Sequence, residues 1–122
     1  MKISVICPHW NRQDLVSRCI QSVAIQSFRD FELIIVDDGS FPPLDIDRCV
    51  GTDNAQVRLV RHKRNLGAAA ARNTGAHIAV GDWLAFLDSD DEWSPVKLER
   101  QLALPNRMPV PNCLRRLEPD SN

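Results

Sequence analysis

Apolar residues fall along this chain in short runs separated by amphipathic stretches, which read as strands and helices in turn. Ile3 to Cys7 is a β-rich run stopped by Pro8. From Asn11 to Ser27 the apolar positions Leu15, Val16, Cys19, Ile20, Val23 and Ala24 recur at helical spacing. They predict one helix, with Asn11 as N-cap and Asp14 as the acid of a pair resembling a capping box. Residues 28–31 read as a turn. Leu33 to Val36 is continuously apolar, as expected of a strand buried on both faces, and it runs into Asp37-Asp38-Gly39-Ser40. Segment 41–54 holds Pro42, Pro43 and Gly51 and predicts a loop with at most a short helix. Val57 to Val60 is a third strand. The alanine-rich stretch "NLGAAAARNTGAHIAVGD" predicts a helix with small side chains that lies close on a sheet, stopped by Gly81 and Asp82. Trp83 to Leu87 is a fourth strand. A last helix, capped by Ser94 and entered through Pro95, runs through Leu98 towards Gln101.

The order βαβ(loop)βαβα predicts an α/β protein with a mostly parallel, Rossmann-like sheet and helices on its faces. Ligands of such sheets sit beyond the C-terminal ends of the strands. Strand one ends at Pro8-His9-Trp10-Asn11, strand two at Asp37-Asp38, and strand four at Asp88-Ser89-Asp90, so the unusual polar residues gather on one rim. After residue 101 the pattern changes. Pro105, Pro109, Pro111 and Pro119 interrupt it, no lasting period survives, and no strand is expected after Leu87. Residues 102–122 read as a loosely ordered or partly helical tail. There are no internal repeats.

Composition narrows the partners. The 122 residues suit one modest domain, and 43% hydrophobic with 25% charged residues is ordinary for a globular protein. A formal net charge of -1 gives no reason to expect nucleic acid as a partner. The four cysteines form no C-x-x-C pair, and Cys7 and Cys19 fall on apolar stripes. Both read as reduced core residues, which favours a reducing compartment. No run approaches the roughly twenty apolar residues of a membrane span. Lys2 leads straight into a strand with no signal-peptide pattern. The expectation is a cytoplasmic chain, reaching a membrane only through partners.

The chemistry concentrates in "FLDSDDEW", four acids within eight positions behind an apolar run. Asp88 and Asp90, one residue apart at a strand end, suit a hard divalent cation such as Mg²⁺ or Mn²⁺ that also takes water and phosphate oxygens. The competing reading is an acidic turn capping the next helix, which suits Asp91 and Glu92. An EF-hand loop counted from Asp88 fails because Trp93 stands where its turn glycine must be. A haloacid-dehalogenase-type phosphatase resembles this segment only in its two acids. Asp38 either accepts a ligand N–H at the rim or belongs to a plain D-G turn. Arg72 either meets an anion or is a solvated helix residue or a partner of Asp38. His9 reads more readily as a solvated loop residue than as a base. Trp10 either stacks on a flat ligand or covers the core.

Taken together, "ISVICPHWNRQDLVSRCIQSVAIQSFRDFELIIVDDGS" and "VRLVRHKRNLGAAAARNTGAHIAVGDWLAFLDSDDEWSPVKLERQ" strongly resemble the N-terminal half of a family 2 glycosyltransferase with the GT-A fold. The resemblance covers residues 2 to 101 in order and spacing. It implies a nucleotide-diphospho-sugar-binding half domain over 1–101, with the acceptor half and the catalytic base not assignable to any residue here. It implies that Pro8, His9, Trp10 and Asn11 line a nucleoside pocket, where the family more often has Thr and Tyr for His9 and Trp10. Asp38 would hydrogen-bond the base, usually uracil. Arg72 would lie near base and phosphates, Asp88 and Ser89 would approach ribose and diphosphate, and Asp90 would bind the metal. The implied reaction is inverting transfer of a sugar from a UDP-sugar to an acceptor hydroxyl on an unspecified glycan, lipid or protein, as in cell-surface polysaccharide synthesis. Two alternatives stand beside it: a non-catalytic nucleotide-sugar-binding module, and a half enzyme completed by a partner chain. An incomplete domain also implies self-association through an exposed sheet edge.

Overall fold

The computed structural model describes residues 2–50, 56–88, 92–103 and 115–116. Its elements are β1 (Ile3–His9), α1 (Gln13–Ala24), β2 (Phe31–Asp37), α2 (Ile46–Val50), β3 (Val57–Arg61), α3 (Ala68–Ile78), β4 (Trp83–Phe86), α4 (Lys97–Ala103) and β5 (Arg115–Arg116). The sheet order is β3-β2-β1-β4-β5. The first four strands are parallel, and β5 pairs antiparallel to β4 with Trp83 opposite Arg116. The mostly parallel α/β architecture expected from the sequence is present. The short β5 is an addition; two arginines carry no period by which a strand is recognised.

β2 is buried at every position, and its alternate residues serve two different cores. Leu33 and Ile35 join Ile3, Val5 and Cys7 against Val16, Cys19 and Ile20 of α1 and Leu98 of α4. Ile34 and Val36 face the other way, against Ala71 of α3. Each fully buried Leu, Ile or Val contributes roughly 1.5–3 kcal/mol. Both faces are therefore needed, which is why the run carries no polar break. On the α3 side the packing is close. A Cβ on Gly75 would stand 2.5 Å from Cγ2 of Ile6, so glycine there sets how near the helix lies to β1.

Polar groups fix the ends of the layers. The Ser4 hydroxyl donates to Oε2 of Glu32 at 2.6 Å and accepts from the Gly81 N–H at 2.9 Å. Glu32 also accepts from the Val80 N–H and from Arg58, so the α3–β4 connection is tied to β1 and β2. Cys7, Cys19 and Cys49 are buried thiols outside any disulfide, as expected for the first two. Among the described residues no helix is long and apolar enough to cross a membrane.

Two local expectations change. α1 is capped at Arg12, with no side-chain cap, and ends at Ala24 rather than Ser27. Asn11 sits at φ 52° and turns away from the helix: its N–H donates to Oγ of Ser40 and its Oδ1 accepts from the Phe41 N–H, both at 2.9 Å. The asparagine braces one rim loop against another instead of capping, because its left-handed backbone aims the side chain out of the helix.

Candidate donor-binding cleft

The strand ends of β1, β2 and β4 meet at one cleft of about 340 Å³, lined by Pro8, His9, Trp10, Arg12, Asp38, Asn65, Gly67, Ala68 and Asp88. Of the residues singled out from the sequence, Pro8, His9, Trp10, Asp38 and Asp88 line it. Asn11 stands behind it as the brace between loops. Arg72 stands beside it, paired through Nη2 to Oδ1 of Asp88 at 3.2 Å rather than to Asp38. Ser89 and Asp90 lie outside the described residues. Among the described residues no cluster of three His, Cys, Asp or Glu forms a metal cage. Asp88 presents a half-exposed carboxylate to the cleft.

The two adjacent aspartates of β2 divide their work. Asp37 is buried and accepts from the N–H groups of Ser40 and Leu44, which shapes the turn after the strand. Asp38 is buried as well, yet it lines the cleft. Its Oδ1 accepts from Nδ1 of His62 at 2.8 Å and from the Leu66 N–H at 2.9 Å, and its Oδ2 accepts from the Gly67 N–H at 2.9 Å. Burial pushes the Asp38 carboxyl up, but the His62 ring and the two backbone donors outweigh it and hold the pKa below its ordinary value. The group is therefore an anion at neutral pH. Gly39 makes the approach possible: it sits at φ 78°, and a Cβ there would lie 2.4 Å from the carbonyl carbon of Arg64.

His9 differs from its sequence reading. It is not a solvated loop residue; it ends β1 opposite Asp37 and is 2% exposed, with neither ring nitrogen hydrogen-bonded. Burial lowers its pKa, and the charge of Asp37 opposes that only in part. Trp10 is half exposed at the mouth of the cleft. The N-terminus of α3, at Gly67 and Ala68, also opens on the cleft and has no side-chain cap and no acid in its first turn. Its leading N–H groups and the positive end of its dipole favour an anion there.

Sequence reasoning missed Arg12, His62, Asn65 and Gly67. The available signal was position. His62 follows the third strand, whose C-terminal tip belongs to the same rim as the other three.

Fold and cleft together define an α/β protein of GT-A type with its binding rim at the C-terminal ends of parallel strands. The sequence model of glycosyl transferase family 2 matches residues 4–113, and the chain belongs to that family. An uncharacterized glycosyltransferase of Rickettsia felis is 43% identical over 101 residues, covering 83% of this chain and 17% of that protein. Escherichia coli WfgD, a UDP-Glc:alpha-D-GlcNAc-diphosphoundecaprenol beta-1,3-glucosyltransferase, is 35% identical over 102 residues, covering 84% of this chain and 40% of the relative. The crystal structure of S. aureus TarS 1-349 in complex with UDP-GlcNAc matches with a TM-score of 0.73 and 28% identity, over 84% of this chain and 30% of that one. The chain thus spans well under half the length of these proteins.

Proposed function

We propose that this chain is the donor-binding part of a family 2 glycosyltransferase that takes a nucleotide-diphospho-sugar, a UDP-sugar first of all, with a divalent cation. One observation carries the reading: three strand tips and the N-terminus of α3 open on a single cleft. Its size falls in the range of small-molecule sites. Trp10 supplies a flat apolar surface for a base, and Asp38 an acceptor for a base N–H. The α3 N-terminus suits a diphosphate. TarS, similar over most of this chain, was solved with UDP-GlcNAc.

The residues fit a cation in kind. Asp88 offers a hard oxygen donor at the cleft, and Asp90, which lies outside the described residues, is the acid to which the resemblance assigns the ion. A divalent ion with one or two carboxylates completes its shell with phosphate oxygens and water, and it would neutralise charge on the departing nucleoside diphosphate. Arg72, paired to Asp88, holds that carboxylate in place beside the cleft. Transfer with inversion requires a carboxylate base within hydrogen-bond reach of the acceptor hydroxyl, and that role falls to no described residue.

Calorimetry of UDP, GDP and TDP, each with and without Mn²⁺, tests the reading. UDP should bind, more tightly with Mn²⁺, and Asp90→Ala should remove the metal-dependent part of the affinity. Failure of every nucleotide to bind under either condition would refute it.

A further inference from the structure

Behind the wall of the cleft lies a short relay. His62, one residue past β3, has its side chain 10% exposed. Its Nδ1 is 2.8 Å from Oδ1 of Asp38 and its Nε2 is 2.8 Å from Oγ1 of Thr74 on α3. An ionised carboxylate only accepts, so Nδ1 carries the donated proton. The Thr74 hydroxyl is itself anchored 3.0 Å from the Ala70 carbonyl oxygen, and the His62 backbone N–H donates to the Asp37 carbonyl oxygen at 2.9 Å. The ring is thereby held from β2, from β3 and from α3.

That bracing bears on what Asp38 can do. A carboxylate has about four acceptor positions. Oδ1 meets His62 and the Leu66 N–H, while Oδ2 meets the Gly67 N–H. Among the described residues this leaves one acceptor position, on Oδ2, and Asp38 lines the cleft. Backbone N–H groups hold one oxygen each, and the side-chain donor on Oδ1 adds a third restraint on the carboxylate and hence on the direction of that last position.

We propose that His62, braced by Thr74, is a positioning residue that aims the remaining acceptor site of Asp38 at a ligand N–H in the cleft. It thereby sets preference for a nucleobase presenting an imide N–H. This rests on the donor-site reading of Asp38 and adds to it the origin of base selectivity. The bond is charge-assisted, and such bonds hold orientation more firmly than neutral ones. Without it the carboxylate retains only one backbone donor on each oxygen, and the third restraint on its orientation is lost.

The test separates aiming from scaffolding. Affinities for UDP and for inorganic pyrophosphate, both with Mn²⁺, are measured by calorimetry on the wild-type chain and on His62→Ala, His62→Asn and Thr74→Val. His62→Ala should weaken UDP about tenfold, the scale of one hydrogen bond to a charged group, and leave pyrophosphate within about twofold. His62→Asn, whose amide can stand where Nδ1 stood, should restore most of the UDP affinity. Thr74→Val should fall between wild type and His62→Ala. UDP and pyrophosphate weakening in step would make His62 a structural residue and overturn the inference, as would unchanged UDP affinity in His62→Ala. Should that variant not fold, Thr74→Val and His62→Asn decide the matter by the same ratio. A wild-type chain binding pyrophosphate and UDP equally would end the inference alone, and one binding neither would end the donor-site reading with it.

Discussion

Glu32 shows how one buried acid can be made to favour its charged form. Burial raises the carboxyl pKa, yet the Ser4 hydroxyl, the Val80 N–H and the Arg58 guanidinium together hold it below its ordinary value. A carboxylate whose native pKa is lowered stabilises the fold fully above its ordinary value of 4.5 and loses that contribution as the pH falls through the native value. Glu32→Gln puts an NH₂ where two donors and a cation converge. It should cost about 1–3 kcal/mol near neutrality. Urea unfolding of both proteins, near neutrality and again well below the ordinary Glu value, checks this. The gap should narrow in acid, and a gap of constant size would mean that Glu32 carries no native charge. Asp38 uses the same physics at the rim, where the held anion lies between the N-cap of α3 and the cleft. The sequence pointed to Asp38 as the cleft acid, but the turn-shaping role of Asp37 was not legible in it. "VDD" offers two carboxylates side by side, and only the strand's alternation decides that Asp37 shapes a turn and Asp38 the cleft.

At the scale of elements, the apolar period of α1 marked its buried face correctly at Val16, Cys19, Ile20 and Val23 but overran its end. Gln26 explains the overrun. It lies two residues beyond the helix, buried, with Nε2 donating to the carbonyls of Ser22 and Ser94 and Oε1 accepting from the Leu98 N–H. A polar residue at that spacing looks like the solvent face of a longer helix. Two of its three partners are about seventy residues away, and no local pattern announces them. The glutamine supplies α4 with a donor partner that neither Ser94 nor Pro95 provides by side chain. Gln26→Ala leaves the Leu98 N–H buried and without its side-chain acceptor, at about 1–3 kcal/mol. We expect a lower urea midpoint and, in hydrogen exchange, loss of protection centred on the first turn of α4 with α3 untouched. Equal loss across both helices would show that Gln26 supports the core in general and not the α1–α4 junction.

For the whole molecule, spacing made the strands parallel and put the site at their C-terminal tips, because parallel strands need crossovers and all return the chain the same way. It did not give the order β3-β2-β1-β4-β5, since periodicity says which face is buried and nothing about which neighbour is chosen. The parallel pairing of β1 with β2 sets His9 at the C-terminal tip of β1, at the site, and Glu32 near the start of β2, at the far end of the strands. Acid should therefore act on the molecule in two windows. His9 is buried neutral with its native pKa lowered, so the unfolded chain takes up the proton first. Its contribution is full above its ordinary value of 6.5 and falls as the pH drops below that, with a slope of at most about 1.4 kcal/mol per pH unit for one proton. The Glu32 window opens only below 4.5. His9→Gln removes the titrating ring while His62 and His77 remain in both proteins, so the difference between the two stability profiles isolates His9. Urea midpoints taken from neutrality down to the ordinary Glu value should decline in the wild-type chain and decline less in His9→Gln. Parallel curves throughout would mean that the β1 tip opens readily enough to solvate the imidazole, and a cleft floor that opens so readily could not hold Pro8 and Trp10 in fixed places around a ligand.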